Sequence, residues 1–189
     1  MCGRFSFGIK APVLEERFGV FVDESELLPR YNCAPSQRLA VISNSDPTVL
    51  SYYRWGLIPA WAHDRKMGAH MINAKAETIT EKPSFRQAFR KRRCLVPADS
   101  FYEWAHDVHK TPHRIMMDDE QAFAMAGIWD AWIDEQGNEL RSFSILTTMA
   151  NETVAGIHHR MPVILSRDKE KVWLDNSPEA LLLECLKPY

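Results

Sequence analysis

Between residues 94 and 165 one short β-prone stretch follows another with little but turns between them, and no other feature constrains the fold as much. The stretches are 94–98, 100–104, 113–117, 121–129, 140–147 and 163–165. Asp119-Glu120 and Glu135-Gln136-Gly137-Asn138 read as turns between them. Earlier, 38–43 and 48–55 flank Asn44-Ser45-Asp46-Pro47, a hairpin signal. Helical patterns are few and short: 12–18, with Pro12 near its first turn and Gly19 as its stop, then 83–93, 168–174 and 178–186. Residues 56–64, with Pro59 and flanking aromatics, read as an ordered loop. Strands in succession without helices between them predict an α+β fold with a mostly antiparallel sheet and exclude a βαβ wheel.

At 189 residues, 46% hydrophobic and 25% charged, the chain has the length and balance of one globular domain, residues 1–189. Disordered, collagen-like and disulfide-scaffold classes are excluded. No apolar run approaches the roughly 18 residues of a membrane-spanning helix. The opening MCGRFSFGIK lacks the layout of a signal peptide, which predicts a cytosolic protein. In a reducing compartment Cys2, Cys33, Cys94 and Cys185, with no CxxC pair, read as free thiols. A net charge of −2 argues against a general grip on nucleic acid and leaves room for a local basic patch.

Several constellations could carry chemistry. Removal of Met1 would leave Cys2 with both a thiol and an α-amine, whose ordinary pKa values are about 8.5 and about 7.7–8.0. A nearby ammonium would favour the thiolate. Such a 1,2-aminothiol condenses with an aldehyde to a five-membered thiazolidine. The bland alternative is an incidental residue on a frayed terminus. Glu103 stands in the aromatic stretch Ser100-Phe101-Tyr102-Glu103-Trp104, where desolvation would move a carboxyl toward general acid–base range. Strand alternation equally allows a solvent-facing Glu. His158, followed by His159 and Arg160, offers a group that titrates near neutrality and a cation for an anion, or simply a polar turn. Asn73 and Lys75, two apart on a strand, share a face and could address one ligand, although a surface strand reads as well. Arg86, Arg90, Lys91, Arg92 and Arg93 could form a nucleic-acid patch or a solvated helix end. His106, His109 and His113 have helical metal-site spacing, but Thr111 and Pro112 break a helix there, so no metal is expected.

Taken together, the motifs resemble the SOS-response-associated peptidase (SRAP) family of abasic-site processing proteins. They are Met1 to Phe5; Tyr31, Asn32, Ala34 and Pro35; Trp55, Gly56, Pro59 and Trp61; Asn73 to Thr78; Phe101 to Trp104; and His158 to Pro162. Each is weak alone; six in order are specific. The resemblance implies a barrel-like sheet with short flanking helices. It also implies a last C-terminal strand that a chain stopping at Tyr189 would lack. It implies sensing of abasic sites in single-stranded DNA and a covalent thiazolidine crosslink through Cys2 that shields the lesion. In that scheme Glu103 is the acid–base group, His158 assists sugar ring opening and crosslink reversal, and Asn73 positions the sugar. Arg4, Lys75 and Arg160 match phosphate-contacting positions, and Trp61 and Trp104 the lesion-side surface. No cofactor, no membrane and a monomer are expected. Competing readings are an autopeptidase that processes its own N-terminus and a non-covalent single-stranded DNA-binding module.

Overall fold

The computed structural model describes residues 2–105 and 107–189. Met1 of the opening motif and His106 of the spaced histidines lie outside the described residues. In chain order the elements begin with β1 (Arg4–Phe7), α1 (Ala11–Phe18), β2 (Arg30–Cys33), β3 (Arg38–Ser43) and β4 (Asp46–Trp55). A 3-10 turn (Arg65–His70), β5 (Asn73–Lys75), α2 (Arg86–Lys91), β6 (Arg93–Ala98), β7 (Ser100–Trp104) and β8 (Pro112–Ile115) follow. The chain continues through β9 (Phe123–Ile133), β10 (Glu139–Met149), α3 (Glu152–Ala155), β11 (Arg160–Pro162) and β12 (Ile164–Leu165), then α4 (Arg167–Leu174) and α5 (Glu179–Glu184).

Five strands close on themselves. β4 pairs with β3, β3 with β6, β6 with β9 and β9 with β10, all antiparallel. β10 returns to β4 in parallel through Ser142↔Arg54 and Phe143↔Trp55. Closure removes the sheet edges that would otherwise seek partners. The barrel interior is apolar, with Val41, Val96, Met125, Phe143 and Ile145 all buried. β5 and β11 extend the sheet from β10, and β12 from β9. A second antiparallel sheet, β2-β1-β7-β8, packs beside it. Its β1 and β7 are stapled by Asp99, which accepts from the Gly8 amide (2.5 Å), Ser6 Oγ and Ser100 Oγ. The α+β, barrel-like expectation is met. No helix among the described residues is long and apolar enough to cross a membrane.

Trp55, at the end of β4, joins the two sheets. Its ring lies edge-on to Phe5 of β1 at 5.3 Å and stacks on Phe143 of β10. Its indole N–H donates to Ile72 O at 2.9 Å, immediately before β5. The next residue, Gly56, takes φ +118°, and an added Cβ would lie 2.5 Å from Gly68 O. Two backbones therefore touch where a side chain would hold them apart.

Several sequence boundaries shift for physical reasons. The hairpin turn shrinks to Asn44-Ser45, because Ser43 pairs with Asp46. Pro47 enters β4, tolerated where the register slips between Val41 and Ser43 and no ladder N–H is needed. The helix expected at 83–93 forms only at Arg86–Lys91, because Arg93 leaves it for β6. There the buried Arg93 guanidinium donates to Phe89 O and Arg90 O at the end of α2, and to Trp173 O and Asp175 O at the end of α4. It thereby satisfies carbonyls that helix ends leave unbonded. Arg90 pairs with Glu179 and Arg92 with Asp130. The basic run is thus largely a structural clamp, with Arg86 and Lys91 alone facing solvent without an ion pair among the described residues.

Gly56→Ala should cost roughly 3 kcal/mol, from strain at positive φ together with the clash on Gly68. Gly137→Ala, also at positive φ but with open space around it, should cost about 1 kcal/mol. Urea titrations of the two variants make the comparison, and equal losses would contradict the close backbone contact.

Candidate active site

The second residue of the chain is fully buried. β1 carries Cys2 inward because Phe5 and Phe7 behind it anchor the strand in the core. The Cys2 carbonyl accepts from Asn73 Nδ2 at 2.8 Å, which ties the chain start to β5. Asn73 is itself set by parallel pairing with Ile145 of β10 and by the Trp55–Ile72 hydrogen bond one residue earlier. Its Oδ1 is buried and has no hydrogen-bond partner among the described residues. The frayed-terminus alternative is thereby overturned for Cys2.

Glu103 is also buried. It shares with Phe101 the inward face of β7, while Trp104 projects outward, so the solvent-facing alternative fails as well. His158 lies in the loop after α3, whose cap is the Asn151 side chain accepting from Val154 N. Its Nδ1 accepts the Arg160 amide at 3.0 Å, which places the proton of the neutral ring on Nε2. His159 stacks on it at 4.4 Å between centroids. The charges couple the three groups. Burial first, and then the nearby Glu103 carboxylate, push the Cys2 thiol up to about 12. Burial lowers the His158 pKa against the opposing pull of Glu103. Cys2, Asn73, Glu103 and His158, far apart in sequence, thus stand together. In the chain that carries Met1 the thiol is held neutral, which corrects the expectation of a ready thiolate.

The other sequence-predicted residues divide. Lys75 is exposed at the end of β5, on the same side of the strand as Asn73, with Ala74 buried between them. Arg4 is half-buried opposite Tyr102, its Nη1 donating to Gly3 O. Trp104 and Trp61 are 41% and 55% exposed, large aromatic surfaces presented to solvent. Arg160 is buried, bidentate to Glu77 at 2.6 and 3.0 Å, and it donates to Thr147 O and Oγ1. Its guanidinium joins β11, β10 and the turn after β5. The same contact holds the Glu77 carboxyl below its ordinary pKa.

Sequence reasoning missed what fixes the Trp61 loop. Asp130, buried in β9, accepts from Ala60 N at 3.1 Å and is paired with Arg92. Trp132 Nε1 donates to Ala62 O at 2.7 Å, and Ile58 N donates to Ser142 Oγ at 2.7 Å. The available signal was Asp130 itself, an acid inside the apolar run Ala126-Gly127-Ile128-Trp129-Asp130-Ala131-Trp132, the same kind of signal as Glu103. Cavity size does not find the site. The concavities of about 600 and 490 Å³ lie around Arg17, Gln121 and Arg167. No group of three or more metal-ligating side chains occurs among the described residues.

The comparisons point one way. Residues 1–189 match the SOS response associated peptidase (SRAP) family. The abasic site processing protein YoqW of Bacillus subtilis is 45% identical over 196 residues, covering 100% of this chain and 88% of that protein. The abasic site processing protein HMCES of Xenopus tropicalis is 31% identical, covering 81% of this chain and 56% of that protein. A crystal structure of a Bacteroides thetaiotaomicron protein superposes with a TM-score of 0.92 at 36% identity, covering 100% of this chain and 88% of that one.

Two measurements test this geometry. An unfolded thiol ionises from about pH 9, whereas buried Cys2 keeps its proton until about 12. Folding stability should therefore fall as pH rises above about 9, by about 1.4 kcal/mol per pH unit for each such thiol. Urea midpoints at pH 8 and 10.5 should converge in Cys2→Ala relative to the parent chain, and an identical decline would contradict a buried neutral thiol. Arg160→Ala should lose roughly 3 kcal/mol of stability without DNA present. A thermal midpoint unchanged from the parent would make Arg160 a surface cation instead.

Proposed function

From the premise that the chain belongs to the SOS response associated peptidase family, we propose that it senses abasic sites in single-stranded DNA during DNA repair. In this reading it caps them with a covalent thiazolidine at Cys2 after loss of Met1. The observation that carries the reading is the burial of Cys2 beside Glu103 and His158, with its carbonyl held by Asn73. An incidental second residue has no reason to be fixed by a side chain 71 positions away. The printed names of the relatives, abasic site processing proteins, support the same target.

The chemistry follows from these neighbours. A ring-closed abasic sugar must open to expose its aldehyde: the C1′ hydroxyl gives its proton to the Glu103 carboxylate, which returns it to the departing ring oxygen, while His158, neutral near pH 7 with its proton on Nε2, donates a hydrogen bond to that oxygen. The α-amine of Cys2 adds to C1′, the resulting carbinolamine loses water, and a Schiff base forms. The thiol then adds across the C=N bond, its proton passing by way of Glu103 to the former imine nitrogen, and the five-membered ring closes. A thiol held neutral needs such a base, and a buried carboxylate beside it is placed to serve. Holding amine, thiol and aldehyde together makes each closure intramolecular, which also explains the stability of the product. Asn73 fixes the orientation of the Cys2 residue through its carbonyl, leaving Oδ1 for the sugar hydroxyls. Arg4 and Lys75 would meet flanking phosphates, and Trp61 and Trp104 would border the lesion, where no base need be unstacked.

The direct test mixes Met1-free protein with uracil-glycosylase-treated single-stranded DNA and resolves the mixture on a denaturing gel. A shifted band resistant to denaturant is expected. Cys2→Ala should abolish it while leaving a borohydride-trappable imine, and Glu103→Gln should slow it by about 10²-fold or more. A tag placed before Cys2 should abolish both species despite an intact thiol. A tagged, unprocessed protein that crosslinks at the rate of the processed one would refute the aminothiol mechanism.

A further inference from the structure

The rejected basic run on α2 leaves open where the chain keeps a local cationic surface. The stretch from Trp61 to Lys75 answers. It contains Arg65, Lys66 and Lys75, the histidines His63 and His70, and a single acid, Asp64, in a chain whose net charge is −2. Trp61, His63, Arg65, Lys66, His70 and Lys75 are all exposed.

Several arginines elsewhere are closed by an acid, as in Arg17–Glu170 at 2.5 Å and Arg160–Glu77 at 2.6 Å. Here the one acid is occupied with the backbone: Asp64 Oδ1 accepts from Lys66 N at 2.8 Å and caps the 3-10 turn. Its second oxygen stands 3.9 Å from Lys66 Nζ, on a side chain 90% exposed. Arg65 has no ion pair or side-chain hydrogen bond among the described residues. A solvated face ordinarily alternates its signs; this one does not.

The stretch is also pinned along its length. Asp130 and Trp132 hold the backbone on both sides of Trp61. Gly56 and Gly68 touch backbone to backbone, and Met71 O accepts from Leu57 N and from Ser144 Oγ. Two residues after Met71 comes Asn73, which holds Cys2. The cations therefore sit on a preformed arm that begins at the exposed Trp61 and ends at the candidate active site. A preformed arm loses little conformational freedom on binding.

We infer that Arg65 and Lys66 form a second phosphate-binding arm, engaging the backbone of the single strand on one side of the abasic nucleotide. The inference rests on the proposed function for the location of the lesion. It adds two contacts that sequence motifs do not mark. An exposed tryptophan next to a row of uncompensated cations is the pairing of stacking surface and charge that single-stranded nucleic acid requires.

The test measures binding of fluorescent single-stranded oligonucleotides, undamaged and abasic, by Met1-free protein between 50 mM and 1 M salt. Each phosphate contact on a single strand contributes about 0.7 to the slope of log K against log salt. Arg65→Ala/Lys66→Ala should therefore flatten the slope by about 1.4 and raise the half-saturating DNA concentration at 50 mM salt by at least about tenfold. The difference should vanish as salt approaches about 1 M. The control Arg86→Ala/Lys91→Ala removes the same charge from α2 and should keep the parent slope. Lesion oligonucleotides extended on only the 5′ or only the 3′ side should reveal the defect on one side alone. An unchanged slope overturns the arm, as does an equal loss in the α2 control, which would mean a general charge effect. Absence of any crosslink with the parent protein overturns the proposed function instead, and the slope on undamaged strand still decides the arm.

Discussion

Chain termini fray unless something holds them, and the candidate site depends on one thing that does: the 2.8 Å hydrogen bond from Asn73 to the Cys2 carbonyl. That bond works only because both partners are fixed from behind. Phe5 and Phe7 bury β1 in the core, and Trp55 bridges Phe5, Phe143 and Ile72 O. The barrel and the small sheet thus meet at the Cys2–Asn73 pair of the candidate site. In the proposed mechanism Glu103 and His158 act on a thiol whose place is already set, and burial rather than any nearby cation holds that thiol neutral.

The allocation of cations shows a second constraint. Buried arginines in this fold satisfy backbone carbonyls or single carboxylates. Arg93 serves four carbonyls at two helix ends, and Arg160 links Glu77 to Thr147. Leaving such a group unpaired in the interior would be far more costly than leaving a surface charge alone. Among the cations outside the interior, Arg4, Lys75 and the Arg65–Lys66 pair stand on backbone pinned near the candidate site.

Much of this was legible in the sequence. The succession of β-prone stretches carried the mostly antiparallel sheet, the family resemblance carried its barrel-like closure, and the separated motifs carried the cluster around Cys2. Other parts were hidden for identifiable reasons. β1 does alternate, as Arg4-Phe5-Ser6-Phe7, but four residues are too short a run to mark a strand, and nothing in the alternation shows that Ser6 is buried against Asp99. The end of α2 was misplaced because a run of arginines looks alike on a solvated helix and in a buried clamp; only the carbonyls around Arg93 distinguish them. The contact between Arg160 and Glu77 is invisible in the sequence because the two lie 83 residues apart. The cations at Arg65 and Lys66 were overlooked because charge alone marks no site. Their meaning comes from the pinned loop beneath them.

The central claim is that both arms of the Cys2 aminothiol close on one aldehyde carbon. Nuclease digestion of the purified adduct followed by tandem mass spectrometry of its N-terminal peptide tests it most directly. The account predicts the sugar remnant on Cys2 alone, with neither a free α-amine nor a free thiol available to alkylation. A remnant on a lysine such as Lys75, or a Cys2 adduct that retains a reactive α-amine, would contradict it.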